Sequence, residues 1–248
     1  MHSARPRRTQ GRVSRALGLA ALIPLFSVLL ATSAYADLTT ASGSAFGEQV
    51  KVTTLLGATI NSGPLPIITA PPGGSTSLAS VNVPGLLQAS ALNVSSNATM
   101  GSSGSVLSTA SAASLTVGTA AITVSALTSQ CHIDSTGQQT GSATIGTVTV
   151  GGIPVSVSSA PNTTVNLPAV GTATFNEQIT TANSITVNAL HVHLAGTLGN
   201  GDIIISQSMC SATASGVPVP AGAFGGVLLT GLVALAFVGY QRRSRLGW

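Results

Sequence analysis

Short stretches of this chain alternate apolar and polar residues with a period of two. Between residues 37 and 210 no stretch combines helical periodicity with helix caps. Thr147-Val148-Thr149-Val150 alternates up to Gly151-Gly152, and Ile153-Pro154-Val155-Ser156-Val157 alternates after it. Paired glycines accept the positive φ angles of a two-residue turn, so the pattern predicts a β-hairpin. Pro154 has no N–H to give to a ladder, which predicts a strand at a sheet edge or a position facing out. Residues 121–127, 185–194 and 202–206 are further predicted strands.

Other stretches carry less pattern. Residues 61–77 read as a loop at their end, although 65–69 can extend. Residues 97–114 are low in complexity, and read as a long connection or as weakly patterned strands. Ile122-Thr123-Val124-Ser125-Ala126-Leu127 is echoed by Ile185-Thr186-Val187-Asn188-Ala189-Leu190. Val81-Asn82-Val83-Pro84 is echoed by Val165-Asn166-Leu167-Pro168. The offsets between the echoes are unequal, so similar strand pairs on two facing sheets explain them as well as a duplication. The expected fold class is all-β, an antiparallel β-sandwich-like domain with short strands and Gly/Pro/Asn turns.

Two runs break this pattern because they are apolar without alternation. The first, residues 16–31, follows a basic stretch and ends at Ala34-Tyr35-Ala36, the form of a secretory leader cleaved between Ala36 and Asp37. Pro24 interrupts it, and it is short for a membrane span. Arg7-Arg8 stands in a poor context for twin-arginine export. The second run, residues 221–240, carries no charge and is followed by Arg242, Arg243 and Arg245. At ~1.5 Å per residue it reaches across a hydrocarbon core of ~30 Å. The arginines behind it are expected on the cytoplasmic side. The expected organisation is a signal peptide (1–36), an exported β domain (37–210), a Ser/Gly/Pro linker (211–220), one transmembrane helix (221–240) and a basic cytoplasmic tail (241–248). That is a single-pass type I membrane protein with its body outside the cell.

Charge then changes the picture of partners. The whole chain is formally +4, but between residues 37 and 220 the only base is Lys51, against all five acids. The exported part is therefore acidic and lacks the clustered Lys and Arg that nucleic acid requires. The expected partners are the membrane, through the apolar run, and a macromolecule of the cell envelope or exterior.

Few residues carry chemistry. Cys131 and Cys210 both fall in the exported part, where a disulfide is permitted. Two free thiols or an intermolecular bond are the alternatives. His191 and His193 lie two apart on a predicted strand and share a face. Two imidazoles at that spacing can reach one metal ion, with Glu177, Asp202 or His132 as further ligands. The competing expectation turns Leu190, Val192 and Leu194 to the core and the histidines to solvent. No G-x-S-x-G elbow is present. The exported part has only Phe46 and Phe175 as aromatics, both expected in the core, which disfavours stacking on sugars. A non-catalytic structural or interaction module with no cofactor is therefore expected. The alternative is a metal-dependent binding module or hydrolase that uses His191 and His193.

The stretches APNTTVNLPAVGTATFNEQ, ITVNALHVHL and GDIIISQSMC, with the earlier AFGEQVKV and ITVSALTSQC, resemble the choice-of-anchor P family of actinobacterial exported proteins. The resemblance covers residues 45–210. It implies an exported domain of that extent joined to a separate surface-anchoring signal, and it assigns no biochemical activity. The tail also looks like a processed sorting signal. It lacks L-P-x-T-G, and Val217-Pro218-Val219-Pro220 only loosely follows the V-P-E-P type. A retained helix is the simpler expectation.

Overall fold

The computed structural model describes residues 36–118 and 122–215. The expected leader up to residue 35, the linker beyond 215, the membrane helix and the tail with Arg242, Arg243 and Arg245 lie outside the described residues. The described chain is all-β and contains no helix. Its strands are β1 (Leu38–Thr53), β2 (Thr59–Ala70), β3 (Gly74–Val83), β4 (Leu87–Thr99), β5 (Ser105–Ala112), β6 (Ser114–Val117), β7 (Ile122–Val124) and β8 (Leu127–Ile133). They continue with β9 (Gln139–Ile145), β10 (Val148–Val150), β11 (Ile153–Val155), β12 (Thr163–Leu167), β13 (Gly171–Thr180), β14 (Ser184–Gly196) and β15 (Gly199–Ala214).

These strands form a six-stranded sheet, ordered β12-β13-β14-β15-β1-β2, and a nine-stranded sheet, ordered β11-β10-β7-β6-β4-β5-β8-β9 with β3 paired to β4. Every pairing is antiparallel. The main apolar core is made of Val, Leu, Ile and Ala with the fully buried Phe175, and a smaller cluster joins Ala45, Val94 and Ala110. The arrangement is sandwich-like. The predicted hairpin forms as β10 and β11. Gly151 and Gly152 take φ of 58° and 81°, and Pro154 lies on β11 at the sheet edge.

Strand alternation slips once in most of the long strands, along a line that crosses each sheet. In β14 the core-facing apolar positions are Ile185 and Val187, then Leu190, Val192 and Leu194, with Asn188 and Ala189 also buried where the pattern changes. The step is i, i+2, i+5 where regular pleating gives i, i+2, i+4. The same step joins Gly43, Ala45 and Glu48 in β1, Leu87, Ala89 and Leu92 in β4, and Ile203, Ile205 and Ser208 in β15. It also breaks what would be continuous strands into β5 and β6, and into β7 and β8. Ala91, Asn176 and Ser206 adopt positive φ on this line. At Gly47 a Cβ would lie 2.7 Å from Leu92 Cδ2 and 2.8 Å from the Leu65 carbonyl oxygen, so the chain is glycine where the line is tightest. The echo between residues 122–127 and 185–190 is two strands crossing the line, one in each sheet.

The ends of the domain meet. β1 and β15 pair from Leu38↔Ala214 to Thr53↔Asn200. Asp37 donates its backbone N–H to Ser215 Oγ at 2.9 Å, and Ser215 returns its own to the Asp37 carbonyl at 2.7 Å.

One expectation needs correction. The linker begins later than residue 211, because Ser211–Ala214 continue β15 against β1 and Ala212 is buried. Of the two readings of the low-complexity stretch 97–114, the strands are what forms, over most of its length. Its small residues (Val106, Ser108, Ala110 and Ala112) are those that fit between the closely packed sheets.

Candidate functional site

Cys131 on β8 and Cys210 on β15 form a disulfide, with Cα atoms 5.9 Å apart and a sequence separation of 79. Both face inward, so the bond crosses the core and joins one sheet to the other. No free cysteine remains.

The outer face of the six-stranded sheet carries the only described ion pairs, and the alternation slip assembles them. Leu190, Val192 and Leu194 are fully buried, so His191 and His193 turn outward, as one of the two sequence readings expected. Because of the slip, Asn188 faces the same way three positions earlier. Glu177 sits opposite Asn188 on β13, and Asp202 opposite His193 on β15.

A continuous polar chain results. Gln207 Nε2 donates to Asn188 Oδ1 at 2.7 Å, and Asn188 Nδ2 donates to Glu177 Oε2 at 2.6 Å. His191 Nδ1 meets the same Glu177 oxygen at 2.9 Å. Its Nε2 meets Asp202 Oδ1 at 3.0 Å, and His193 Nδ1 meets that oxygen at 2.9 Å. Ionised carboxylates only accept hydrogen bonds, so His191 donates from both nitrogens and is an imidazolium in this arrangement. The hydrogen bond to Glu177 raises the His191 pKa above its ordinary value, against the opposing effect of burial. Glu177 is held below its ordinary value, first by the His191 hydrogen bond, against burial, and then by Asn188. Burial pushes Asp202 up, but the bonds from His193 and His191 outweigh it and the net shift is downward.

The remaining sequence candidates separate. Glu177 and Asp202 join the two histidines, whereas His132 lies on β8 of the other sheet, opposite Leu107 and Thr140. Asn188 and Gln207 were not legible in advance, because nothing in the sequence says which face they take across the slip. Lys51 lies opposite Asp202 on β1 and borders a shallow groove with Gln49, His191, Asp202 and Ile204. Among the described residues, no three metal-binding side chains stand in place around a vacant coordination point; here they hold one another.

A second acid is unlike these. Glu48 is fully buried and takes one hydrogen bond, from Ser62 Oγ to Oε1 at 3.0 Å, while Oε2 has no partner. Burial raises its pKa, and the Ser62 bond only partly offsets that. Comparison with known proteins finds no matching family model, no matching curated protein and no matching solved structure.

Proposed function

We propose that this chain is an exported structural or interaction module, a β-sandwich held at the membrane by a C-terminal helix over residues 221–240, and that it performs no catalysis. The observation that carries this reading is the position of the disulfide. Cys210 lies four residues before the end of the strand that leads toward the anchor, and Cys131 lies in the opposite sheet. A pull on the anchor side reaches a covalent cross-link within one short stretch of strand. Load therefore passes into the nine-stranded sheet before β15 can peel from β1. An oxidised cross-link also agrees with export.

The surface supports the same reading. The described residues include shallow grooves lined by Ser, Thr, Asn and Gln, such as the one bordered by Ser75, Ser77, Asn93, Ser95, Thr109 and Ser111. Such a face suits a neutral, polar partner of the envelope or exterior and is a poor match for nucleic acid. The resemblance to choice-of-anchor proteins points the same way. Intact-mass analysis of the protein extracted from membranes tests the topology. A chain from Asp37 to Trp248 is expected, and a chain that still carries residues 1–36, or that stops near Pro220, contradicts it.

A further inference from the structure

We infer that the turn between β1 and β2 docks on a lipid surface, inserting Leu55 and Leu56 among the acyl chains of a layer that faces the anchoring membrane. Which layer is met follows from the anchored reading above; the turn itself belongs to the described fold. Residues 54–58 close on themselves. The Gly57 N–H donates to the Thr54 carbonyl at 2.9 Å, the Thr54 N–H to the Ala58 carbonyl at 2.8 Å, and the Ala58 N–H to Thr54 Oγ1 at 3.2 Å. The central positions of such a turn usually hold Pro, Asp, Asn, Ser or Gly. Here both are leucine, 72% and 97% exposed, the two most exposed large apolar side chains described. Neither packs against the core, so the fold gives no reason for them. The turn is preset by its hydrogen bonds, and docking orders little new backbone.

The surroundings are apolar as well. Pro84, Gly85 and Leu198 border the same shallow groove. The described loops at this end, 54–58, 84–86, 151–152, 168–170 and 197–198, contain no charged residue, and Thr54 and Thr197 are their only polar side chains. The loops at the other end hold Asp134, Gln138 and Asn183, and there the Asp37 and Ser215 backbones pair. β1 runs 16 residues from one end to the other, about 50 Å at ~3.3 Å per residue. The apolar tip is thus remote from where the chain leaves toward residues 221–240.

Size and chemistry decide the occupant. The tip offers on the order of a few hundred Å² of apolar surface, below the ~800 Å² that each partner of a stable protein pair buries. Such a pair also makes about one hydrogen bond per 100–200 Å², for which two threonines supply little. A lipid layer demands neither. Its affinity follows the apolar area buried, and many anchored copies multiply a weak insertion. With no charge at the tip, a zwitterionic layer suffices and salt has little effect.

The test uses the full chain reconstituted in nanodiscs, with added vesicles of dioleoyl phosphatidylcholine. Elution with the discs, before vesicles are added, reads the anchor by itself. A chain that stays outside them contradicts the anchored reading alone, and the vesicles then read the turn on the free chain. Trp248 is the only tryptophan, so Trp248→Phe/Leu56→Trp leaves one fluorophore, at the turn. Its emission should shift to the blue with vesicles, and brominated lipid in the vesicles alone should quench it, at low and high salt alike. In liposomes that carry many copies, Leu55→Ser/Leu56→Ser should cut clustering with protein-free vesicles at least tenfold while the melting temperature stays at the parent's. Emission that vesicles leave unmoved overturns the inference. So does clustering that the double variant leaves intact, or clustering confined to protein-bearing liposomes, which assigns the turn to a second copy.

Discussion

Cys210, paired within the six-stranded sheet, bonds Cys131 in the other, so a single covalent link spans the core close to where the two ends of the domain meet. In the chain-entropy account, closing a loop of this length contributes about 4–5 kcal/mol, and native bridges in small domains contribute about 2–5 kcal/mol. The double variant Cys131→Ala/Cys210→Ala should lose about 2–5 kcal/mol in urea unfolding. A loss below about 1 kcal/mol would mean that the bridge adds little to the fold.

Glu48 should cost the protein stability at neutral pH. Its folded pKa is raised, so the folded state binds the proton more tightly than the unfolded state does. Stability is therefore highest below the ordinary glutamate value and falls as pH rises toward the raised one. Glu48→Gln removes that dependence and keeps the acceptor for Ser62. The variant should melt a few degrees higher than the parent at pH 7.5, with a smaller gain at pH 4. An equal gain at both pH values would assign the effect to packing instead of charge.

The outer network carries the opposite signs. His191 is raised, so its contribution is complete below the ordinary histidine value of ~6.5 and disappears as pH rises through the folded one. Glu177 and Asp202 are lowered, so theirs is complete above the ordinary carboxylate range of ~4 and is lost in acid. The network is strongest between about pH 4.5 and 6.5. An imidazole titration by NMR, in the absence of metal, should place His191 above the ordinary value, and Glu177→Gln should bring it down. A His191 midpoint that ignores Glu177→Gln would contradict the hydrogen-bonded pair.

Gly47→Ala tests the alternation slip. The added methyl would meet the Leu65 carbonyl oxygen at 2.8 Å, and backbone cannot rotate away as a side chain can. A destabilisation of about 1–3 kcal/mol is expected from such overpacking. A neutral result would show that the line has room to relax.

The slip also explains what could be read in advance. Where a strand runs on one side of it, alternation is clean. The β10–β11 hairpin, the outward histidines and the edge position of Pro154 were all legible in that way. Across the slip the period fails. β15, for example, is visible in sequence only as residues 202–206, although the strand continues to Ala214. In the stretch 97–114 the core residues are Ala, Ser and Val, whose hydropathy barely differs from that of their exposed neighbours. The site was half legible for the same reason. His191 and His193 share a face by simple alternation, and Glu177 and Asp202 were named as possible companions. The support from Asn188 and Gln207 depends on the i, i+5 step. Glu48 was missed because a lone acid in an alternating stretch reads as a solvent position.

Display of the domain outside the cell can be read directly, because the composition supplies a probe. Lys51 is the only lysine in the chain and is exposed on β1. A membrane-impermeant amine-reactive biotin applied to intact cells, followed by peptide mass analysis, reads its side. Labelling of Lys51 before lysis, and its loss in Lys51→Arg, is the predicted result. Labelling of Lys51 only after the cells are broken would contradict surface display.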